Sequence, residues 1–222
     1  MDIAEQKSAL RARIWSARRS LGAAQVDAAA PGIAEHGLAW ARAALPQRAV
    51  LTAYLGVGAE PPTGPLIEAL HAEGFRVLLP ICLPERQLGW VEWHPGIEFA
   101  RSRYAPVQEP VGPLIPGNEA IAGDGVRPAL AGILLPATAL DAQGRRVGQG
   151  GGYYDRFLAR VDAAGARVPT AAVVYDGEVL APGLVPADAL DRLVEAAVTP
   201  GGLRPLGAVS PGAAGSPVGI EP

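Results

Sequence analysis

The chain has 222 residues, enough for one sizeable α/β domain and short for two. Hydrophobic residues make up 49% of it and charged residues 18%, and the formal net charge of -3 provides no overall basicity to attract nucleic acid or an anionic membrane. The only cysteine, Cys82, excludes an intrachain disulfide framework and an all-cysteine metal site. The N-terminus has no signal-peptide pattern, and no apolar run is long enough for a membrane span. We therefore expect a cytoplasmic protein whose partners are small molecules or other proteins.

Apolar periodicity and turn residues predict helices that alternate with strands. The predicted helices cover residues 4–21, 23–45, 64–73 and 153–161, and Pro31 with Gly32 should split the second into two pieces. The predicted strands cover residues 48–55, 76–80, 88–93, 130–135, 168–175 and 193–199, with a possible short extension at 178–180. Residues 98–125 are rich in proline and glycine, so we expect them to be irregular.

This alternation predicts a single three-layer α/β/α domain over residues 1–202, with an open and mostly parallel sheet. Residues 203–222 are dominated by Gly, Pro, Ala and Ser and should form a mobile tail. Ligands of open parallel sheets bind at the carboxyl ends of the strands. Since the loops at 55–63 and 136–154 each follow a strand, we expect them to share one binding mouth.

Two basic residues of the first helix stand four positions apart beside its apolar stripe. Lys7, the only lysine of the chain, and Arg11 lie on the same side of that helix. Two interpretations remain open from the spacing alone. The two cations either point from the edge of the buried face into a cleft or belong to a solvated basic face.

A glycine-rich loop joins the central strand region to the last predicted helix. It contains four glycines in five positions, which are Gly148, Gly150, Gly151 and Gly152. The loop matches neither a Walker A sequence nor a dinucleotide fingerprint, because Tyr153 and Tyr154 stand where those motifs need other residues. Unobstructed backbone N–H groups at a helix N-terminus, close to arginine, nevertheless predict an anion site.

The residues that follow the glycine loop are each open to two interpretations. Asp155 either complements the helix dipole or, beside a bound triphosphate, holds Mg²⁺. Tyr154 lies on the core face of the helix, whereas Tyr153 is offset and can stack on a flat ligand. Trp90 and Trp93 have the same ambiguity between core and ligand. The three histidines are scattered, which argues against a zinc site or a Ser-His-Asp triad.

Residues 136–156, PATALDAQGRRVGQGGGYYDR, resemble the signature of the 5-formyltetrahydrofolate cyclo-ligases, also called 5,10-methenyltetrahydrofolate synthetases. The resemblance covers nearly the whole chain up to about Gly202, and the motifs follow one another in the same order as in the family. It includes Lys7 with Arg11, the segment 54–63, the pair at 109–110 and the pair at 198–199. The chain departs from the family at Leu140, where an aromatic residue is common, and at Leu190, where His or Trp is common before Asp191.

The resemblance implies a fold like that of sugar-phosphate isomerases and CoA transferases. It also implies an ATP- and Mg²⁺-dependent reaction that converts 5-formyltetrahydrofolate to 5,10-methenyltetrahydrofolate, ADP and phosphate. The implied catalytic residues are Lys7, Arg146 and Tyr153. The implied ATP-binding residues are Lys7, Arg11, Arg146, Gly148, Gln149, Gly150, Gly151, Gly152, Tyr153 and Tyr154. The implied folate-binding residues are Leu55, Glu60, Gln149, Gly150 and Tyr153, and the implied metal ligands are Asp155 and Asp191.

Two other hypotheses compete with an active cyclo-ligase. One is a non-catalytic relative that binds folate or nucleotide, against which the retained Lys7, Arg11, Glu60, Arg146 and Asp155 argue. The other is a sugar-phosphate isomerase of similar fold, for which the sequence lacks a catalytic carboxylate and histidine arrangement. We expect a monomer, since no apolar surface helix stands out as a partner face.

Overall fold

The structure, a computed structural model, describes residues 2–188 and 191–207. Its α-helices are α1 Ile3–Arg19, α2 Ala23–Ala44, α3 Gly64–Ala72, α4 Gly117–Ala122 and α5 Tyr153–Ala163. Its strands are β1 Val50–Thr52, β2 Arg76–Leu83, β3 Gln87–Glu92, β4 Phe99–Arg101, β5 Gln108–Pro110, β6 Leu130–Pro136, β7 Ala139–Asp141, β8 Arg146–Val147, β9 Thr170–Val173, β10 Val179–Leu180, β11 Ala196–Thr199 and β12 Gly202–Pro205.

The central sheet has seven strands in the order β12-β11-β9-β6-β1-β2-β3. The strands from β11 to β2 pair in parallel, and β12 and β3 add antiparallel edges. From β1 the chain proceeds to β2 on one side, whereas β6 proceeds to β9 and β11 on the other. The crevice of such a sheet lies where these directions diverge, at the carboxyl ends of β1 and β6.

Helices cover both faces of this sheet, which confirms the predicted α/β/α architecture. Helices α2 and α3 pack on one face around a core that includes Ile33, Leu51 and Leu70. Helices α4 and α5 pack on the other around Trp90, Ile133 and Phe157. The strands that follow β6 form a small sheet in the order β10-β7-β8. Helix α1 packs on it through Leu10 and Ile14, which places the polar side of α1 beside the crevice.

The prediction that Pro31 and Gly32 split the second helix is wrong, because α2 is continuous across both residues. Pro31 and Asp27, whose carbonyl loses its N–H partner, are both exposed, so hydration of that carbonyl offsets the missing hydrogen bond. Gly32 instead permits close packing, since a Cβ there would lie 2.2 Å from the carbonyl oxygen of Pro200. This glycine therefore brings α2 against the turn after β11.

Two further expectations need correction. Residues 98–125 are not irregular throughout, because β4 and β5 pair in a short antiparallel hairpin and α4 follows it. Residues 203–205 do not belong to a mobile tail, since β12 pairs with β11 in the register Thr199↔Gly202 to Ala196↔Pro205. The rest of the predicted tail, residues 208–222, lies outside the described residues.

Candidate active site

A cavity of about 760 Å³ opens at the carboxyl ends of β1 and β6. Every residue that the sequence assigned to ATP, folate or metal lines it, from Lys7 on α1 to Asp191 before β11. The loops after β1 and β6 therefore share one mouth, as predicted. A second cavity, of about 640 Å³ near the start of β9, contains none of these residues.

The ammonium of Lys7 lies between two carboxylates at the edge of the cavity. Its Nζ is 2.5 Å from Asp191 Oδ2 and 3.0 Å from Asp188 Oδ2. Burial lowers the pKa of Lys7, but the hydrogen bonds and charges of Asp191 and Asp188 outweigh it and raise the pKa above its ordinary value. Lys7 is therefore cationic at neutral pH, and it points into the cleft instead of forming a solvated basic face.

Arg146 is nearly inaccessible to solvent, and its Nη2 donates to Asp155 Oδ1. Its Nε is also buried and has no hydrogen-bond partner among the described residues. Arg146 also lines the cavity, so its guanidinium provides a cation suited to an anionic ligand there. Asp155 is therefore stabilised by the charge of Arg146 as well as by the dipole of α5.

The glycine loop is held in a conformation that only glycine adopts without strain. Gly150 has φ of 95° and Gly152 has φ of 70°, both in the left-handed region. Arg11 fixes the loop from the outside, since its Nε donates to the carbonyl oxygen of Gly148 at 2.7 Å. Gly152 is the N-cap of α5, so the loop presents backbone N–H groups at a helix N-terminus.

The loop after β1 is connected to the glycine loop by one side-chain amide. Gln149 Nε2 donates to Glu60 Oε1 at 2.8 Å, and Gln149 Oε1 accepts from the indole Nε1 of Trp15 at 2.8 Å. The other oxygen of Glu60 accepts from the N–H of Val57 at 3.1 Å. Each carboxylate oxygen of Glu60 therefore has one protein donor and one remaining lone-pair direction.

The β4–β5 hairpin forms another wall of the cavity through Phe99, Tyr104 and the segment 105–108. The Tyr153 hydroxyl donates to the carbonyl oxygen of Tyr104 at 3.4 Å, which joins α5 to this hairpin. Burial, together with the neighbouring Cys82, raises the pKa of Tyr153, so its phenol remains neutral and able to donate. The apolar hairpin gives this end of the cavity walls suited to a flat ring.

Cys82 lines the cavity as well, but its thiol is not activated. Burial and the Glu109 carboxylate raise its pKa to about 12. Glu109 also accepts from the backbone N–H of Cys82 at 2.6 Å, which keeps this negative charge beside the sulfur. The thiol is therefore protonated at neutral pH and is a poor nucleophile.

The two predicted metal ligands lie in the same cavity, each beside a cation. Among the described residues no group of three or more His, Cys, Asp or Glu side chains forms a metal cluster. Mg²⁺ commonly takes one or two carboxylates together with phosphate oxygens and water. Asp155 and Asp191 suit a magnesium ion that arrives with a phosphate ligand, in preference to an all-protein metal cage.

Comparison with known proteins identifies the family. Residues 3–200 match the 5-formyltetrahydrofolate cyclo-ligase family. A 5-formyltetrahydrofolate cyclo-ligase of Mycolicibacterium smegmatis is 33% identical over 199 residues, which cover 87% of this chain and 93% of the relative. The Escherichia coli K12 cyclo-ligase is 34% identical over 110 residues, which cover 47% of this chain and 54% of that relative. The chain belongs to the 5-formyltetrahydrofolate cyclo-ligase family.

Solved structures support the fold of this ligase family. A 5,10-methenyltetrahydrofolate synthetase from Mycoplasma pneumoniae has a TM-score of 0.64 at 17% identity and covers 89% of this chain and 98% of its own. The synthetase from Aquifex aeolicus has a TM-score of 0.64 at 24% identity, with 90% and 92% covered. The predicted fold class and the predicted enzyme class, a ligase, are confirmed. No helix among residues 2–188 and 191–207 is long and apolar enough to cross a membrane.

Packing decides between core and ligand for the two tryptophans. Trp90 is fully buried, with its ring 4.9 Å from that of Phe157, and Trp93 packs edge-on against His71. Neither tryptophan lines the cavity. Leu140 is buried in the core, so its replacement of an aromatic residue is a packing change. The other departure from the family, Leu190, lies outside the described residues.

Sequence reasoning missed Trp15, the β4–β5 hairpin and Cys82 as parts of the cavity wall. The helical spacing could have indicated Trp15, because Lys7, Arg11 and Trp15 stand at successive intervals of four on one helical face. The hairpin gave no such signal, since strands of three residues within a proline-rich stretch show no measurable alternation. The position of Cys82 depends on the register of β2 against β3.

Proposed function

We propose that the protein catalyses the ATP- and Mg²⁺-dependent conversion of 5-formyltetrahydrofolate to 5,10-methenyltetrahydrofolate, with release of ADP and phosphate. One observation carries the proposal. Cationic groups suited to phosphates and a carboxylate suited to a pterin lie in one cavity, joined by the glycine loop and Gln149. A cytoplasmic monomer remains our expectation for the working protein.

The charged end of the cavity fits a triphosphate. Lys7 and Arg146 provide two cations in the cavity wall. We assign both to the phosphates, with the loop from Gly148 to Gly152 around them and Arg11 as the support of that loop. Asp155 and Asp191 would hold Mg²⁺, which would neutralise part of the phosphate charge.

The other end of the cavity fits the folate. We assign Glu60 to the paired N–H donors of the pterin, because its two oxygens each keep a free lone-pair direction. Leu55 lies beside Glu60 in the cavity wall, and the hairpin residues give the ring system apolar contact. Tyr153, whose phenol stays protonated, would donate a hydrogen bond near the formyl group.

The chemistry requires charge placement more than a covalent nucleophile. The formyl group on N5 is amide-like, so its oxygen must become a leaving group before N10 can attack the carbon. Transfer of the γ-phosphoryl group to that oxygen achieves this, and phosphate then leaves as the N10–carbon bond closes the ring. Phosphoryl transfer depends mainly on positioning and charge stabilisation. The protonated thiol of Cys82 and the absence of histidine from the cavity wall are compatible with such direct transfer.

The test is to mix the protein with ATP, Mg²⁺ and 5-formyltetrahydrofolate and to follow the near-ultraviolet absorbance of the methenyl product. We expect an absorbance rise that needs all three components. Folded protein that gives no ATP-dependent signal would overturn the proposal. Folate or nucleotide binding without turnover would instead support the non-catalytic relative of the same fold.

A further inference from the structure

Trp15 contacts the glycine loop from α1, one helical turn after Arg11. Its indole N–H donates to Gln149 Oε1 at 2.8 Å, and the amide nitrogen of Gln149 donates onward to Glu60 Oε1 at 2.8 Å. One amide therefore links helix α1 to the loop after β1. Trp15 itself belongs to none of the binding sites assigned above.

Both neighbours of the Gln149 amide require the same orientation of it. The indole N–H of Trp15 can only donate, so the amide oxygen must face the ring. Oε1 of the Glu60 carboxylate accepts a hydrogen bond, so the amide nitrogen must face it. A flipped amide would set donor against donor and acceptor against acceptor. Trp15 therefore stabilises the amide orientation in which a donor meets Glu60.

The ring of Trp15 packs on the guanidinium of Arg18, which is itself held by hydrogen bonds. The Arg18 guanidinium lies 5.2 Å from the Trp15 ring centroid, within the range of a cation–π contact. Arg18 is itself held by a bidentate pair, with its Nε and Nη2 each 2.7 Å from an oxygen of Glu178. Nη2 also donates to the carbonyl oxygen of Ala137 at 2.9 Å, just beyond β6. Arg18, on which Trp15 packs, is thus hydrogen-bonded to the chain at the end of the central strand β6.

The same guanidinium supports a second aromatic arm. Tyr175 lies 5.8 Å from Arg18, and its hydroxyl donates to the backbone carbonyl oxygen of Glu60 at 3.2 Å. Its backbone N–H donates to Glu178 at 2.9 Å. Two arms therefore run from one buried ion pair to Glu60. The Trp15 arm reaches its carboxylate through Gln149, and the Tyr175 arm reaches its main chain.

We propose that Trp15 is a positioning residue for folate, which orients Gln149 so that this amide holds the Glu60 carboxylate ready for the pterin donors. The inference rests on the proposed function, in which Glu60 receives the pterin. Gln149 uses one lone-pair direction of Oε1, and the N–H of Val57 uses one of Oε2. The carboxylate is thereby fixed in its plane while one acceptor direction on each oxygen remains for the ligand.

The experiment measures the dissociation constant of 5-formyltetrahydrofolate by calorimetry in the absence of ATP. Trp15→Phe removes the indole N–H and keeps an aromatic ring over Arg18. We expect it to weaken folate binding about fivefold, the scale of one hydrogen bond. Binding of ATP with Mg²⁺ should stay unchanged within error. The matched control is Trp93→Phe, because Trp93 packs on His71 outside the cavity and its exchange should leave folate binding unchanged.

A double-mutant cycle separates positioning from a general structural role. If Trp15 acts through Gln149, Trp15→Phe should cause no further loss of folate affinity in a Gln149→Ala background. The losses of Trp15→Phe and Tyr175→Phe should instead add, because the two arms reach different groups of Glu60. Gln149→Glu keeps the acceptor for Trp15 but sets a carboxylate against Glu60, so it should weaken folate binding more than Trp15→Phe does.

The outcomes are distinct. Unchanged folate affinity in Trp15→Phe, or additive losses for Trp15→Phe and Gln149→Ala, would overturn the inference while the proposed function stands. Wild-type protein that does not bind 5-formyltetrahydrofolate would overturn the proposed function and this inference with it. Unfolding midpoints measured for each variant identify a loss that comes from the fold alone.

Discussion

Arg18 and Arg146 are both buried arginines paired with a carboxylate, but their partners differ in exposure. The side chains of Arg18 and Glu178 are 1% and 7% exposed, whereas those of Arg146 and Asp155 are 3% and 41% exposed. The first pair is bidentate and closed on all sides. The second pair engages one oxygen of Asp155, and both of its residues line the cavity. A closed pair can only hold the fold, while an open pair can exchange its partner for a ligand.

Lys7 and Asp191 form a second pair of the open kind in the wall of the same cavity. Without ligand, each cation that we assign to phosphate is thus neutralised by a carboxylate that we assign to Mg²⁺. The arriving ion and phosphate would offer each partner an opposite charge of equal or greater strength. The same type of substitution should therefore reduce stability at the closed pair Arg18–Glu178 and reduce activity at the open pairs of the cavity.

The largest effect on stability is expected at the closed pair. Arg18→Met leaves the buried carboxylate of Glu178 uncompensated, which should lower the free energy of unfolding by about 3–5 kcal/mol. Denaturant unfolding followed by circular dichroism measures it. The control is Arg42→Met, which breaks an exposed bidentate pair with Glu73 and should barely move the unfolding midpoint. Equal shifts in both variants would show that Arg18–Glu178 does not hold the fold.

The open pair should behave in the opposite way. Arg146→Met leaves Asp155 hydrated, so the unfolding free energy should change little while kcat/KM falls about 100- to 1,000-fold. Arg13→Met removes the same charge from an exposed position on α1 outside the cavity and should retain activity. If Arg146→Met instead destabilises the protein as much as Arg18→Met does, both arginines are structural and the comparison fails.

The sequence allowed prediction of the fold class because each layer leaves a local pattern. The run at residues 130–135 indicated a central parallel strand, and it became β6 with neighbours on both sides. The site residues followed from a long motif and a helical spacing. The predicted break at Pro31 was wrong because the free-energy cost of proline inside a helix depends on whether the carbonyl that loses its partner is exposed. That exposure is a property of the tertiary structure.

The closed pair could not be predicted at all from local pattern. Arg18 and Glu178 are 160 positions apart, and their contact depends on how α1 packs on the small sheet. The same holds for the bridge from Trp15 to Glu60, in which three chain segments meet. Long-range polar contacts of this kind carry no periodicity, so only the assembled fold brings them together.

A smaller effect is expected when the carboxylate of the open pair loses its charge but keeps its shape. Asp155→Asn can still accept from Arg146, so the fold should persist while the half-saturating Mg²⁺ concentration rises about tenfold, equivalent to about 1.4 kcal/mol. Initial rates over a magnesium titration at saturating ATP measure it. Asp162→Asn, on the same helix in an exposed pair with Arg192, is the control. An unchanged magnesium dependence would return Asp155 to the helix-dipole interpretation.

The smallest effect distinguishes the two carboxylates beside Lys7. Asp191→Asn should tighten binding of ATP in the absence of Mg²⁺ by a few-fold, because one anion that competes with phosphate for Lys7 is gone. Asp188→Asn should tighten metal-free ATP binding in the same direction, since Asp188 also pairs with Lys7. Only Asp191→Asn should then weaken the further gain in ATP affinity on adding Mg²⁺, because Asp191 lines the cavity and Asp188 does not. Calorimetry with and without the ion measures both, and an equal response to Mg²⁺ in the two variants would assign Asp191 to Lys7 alone.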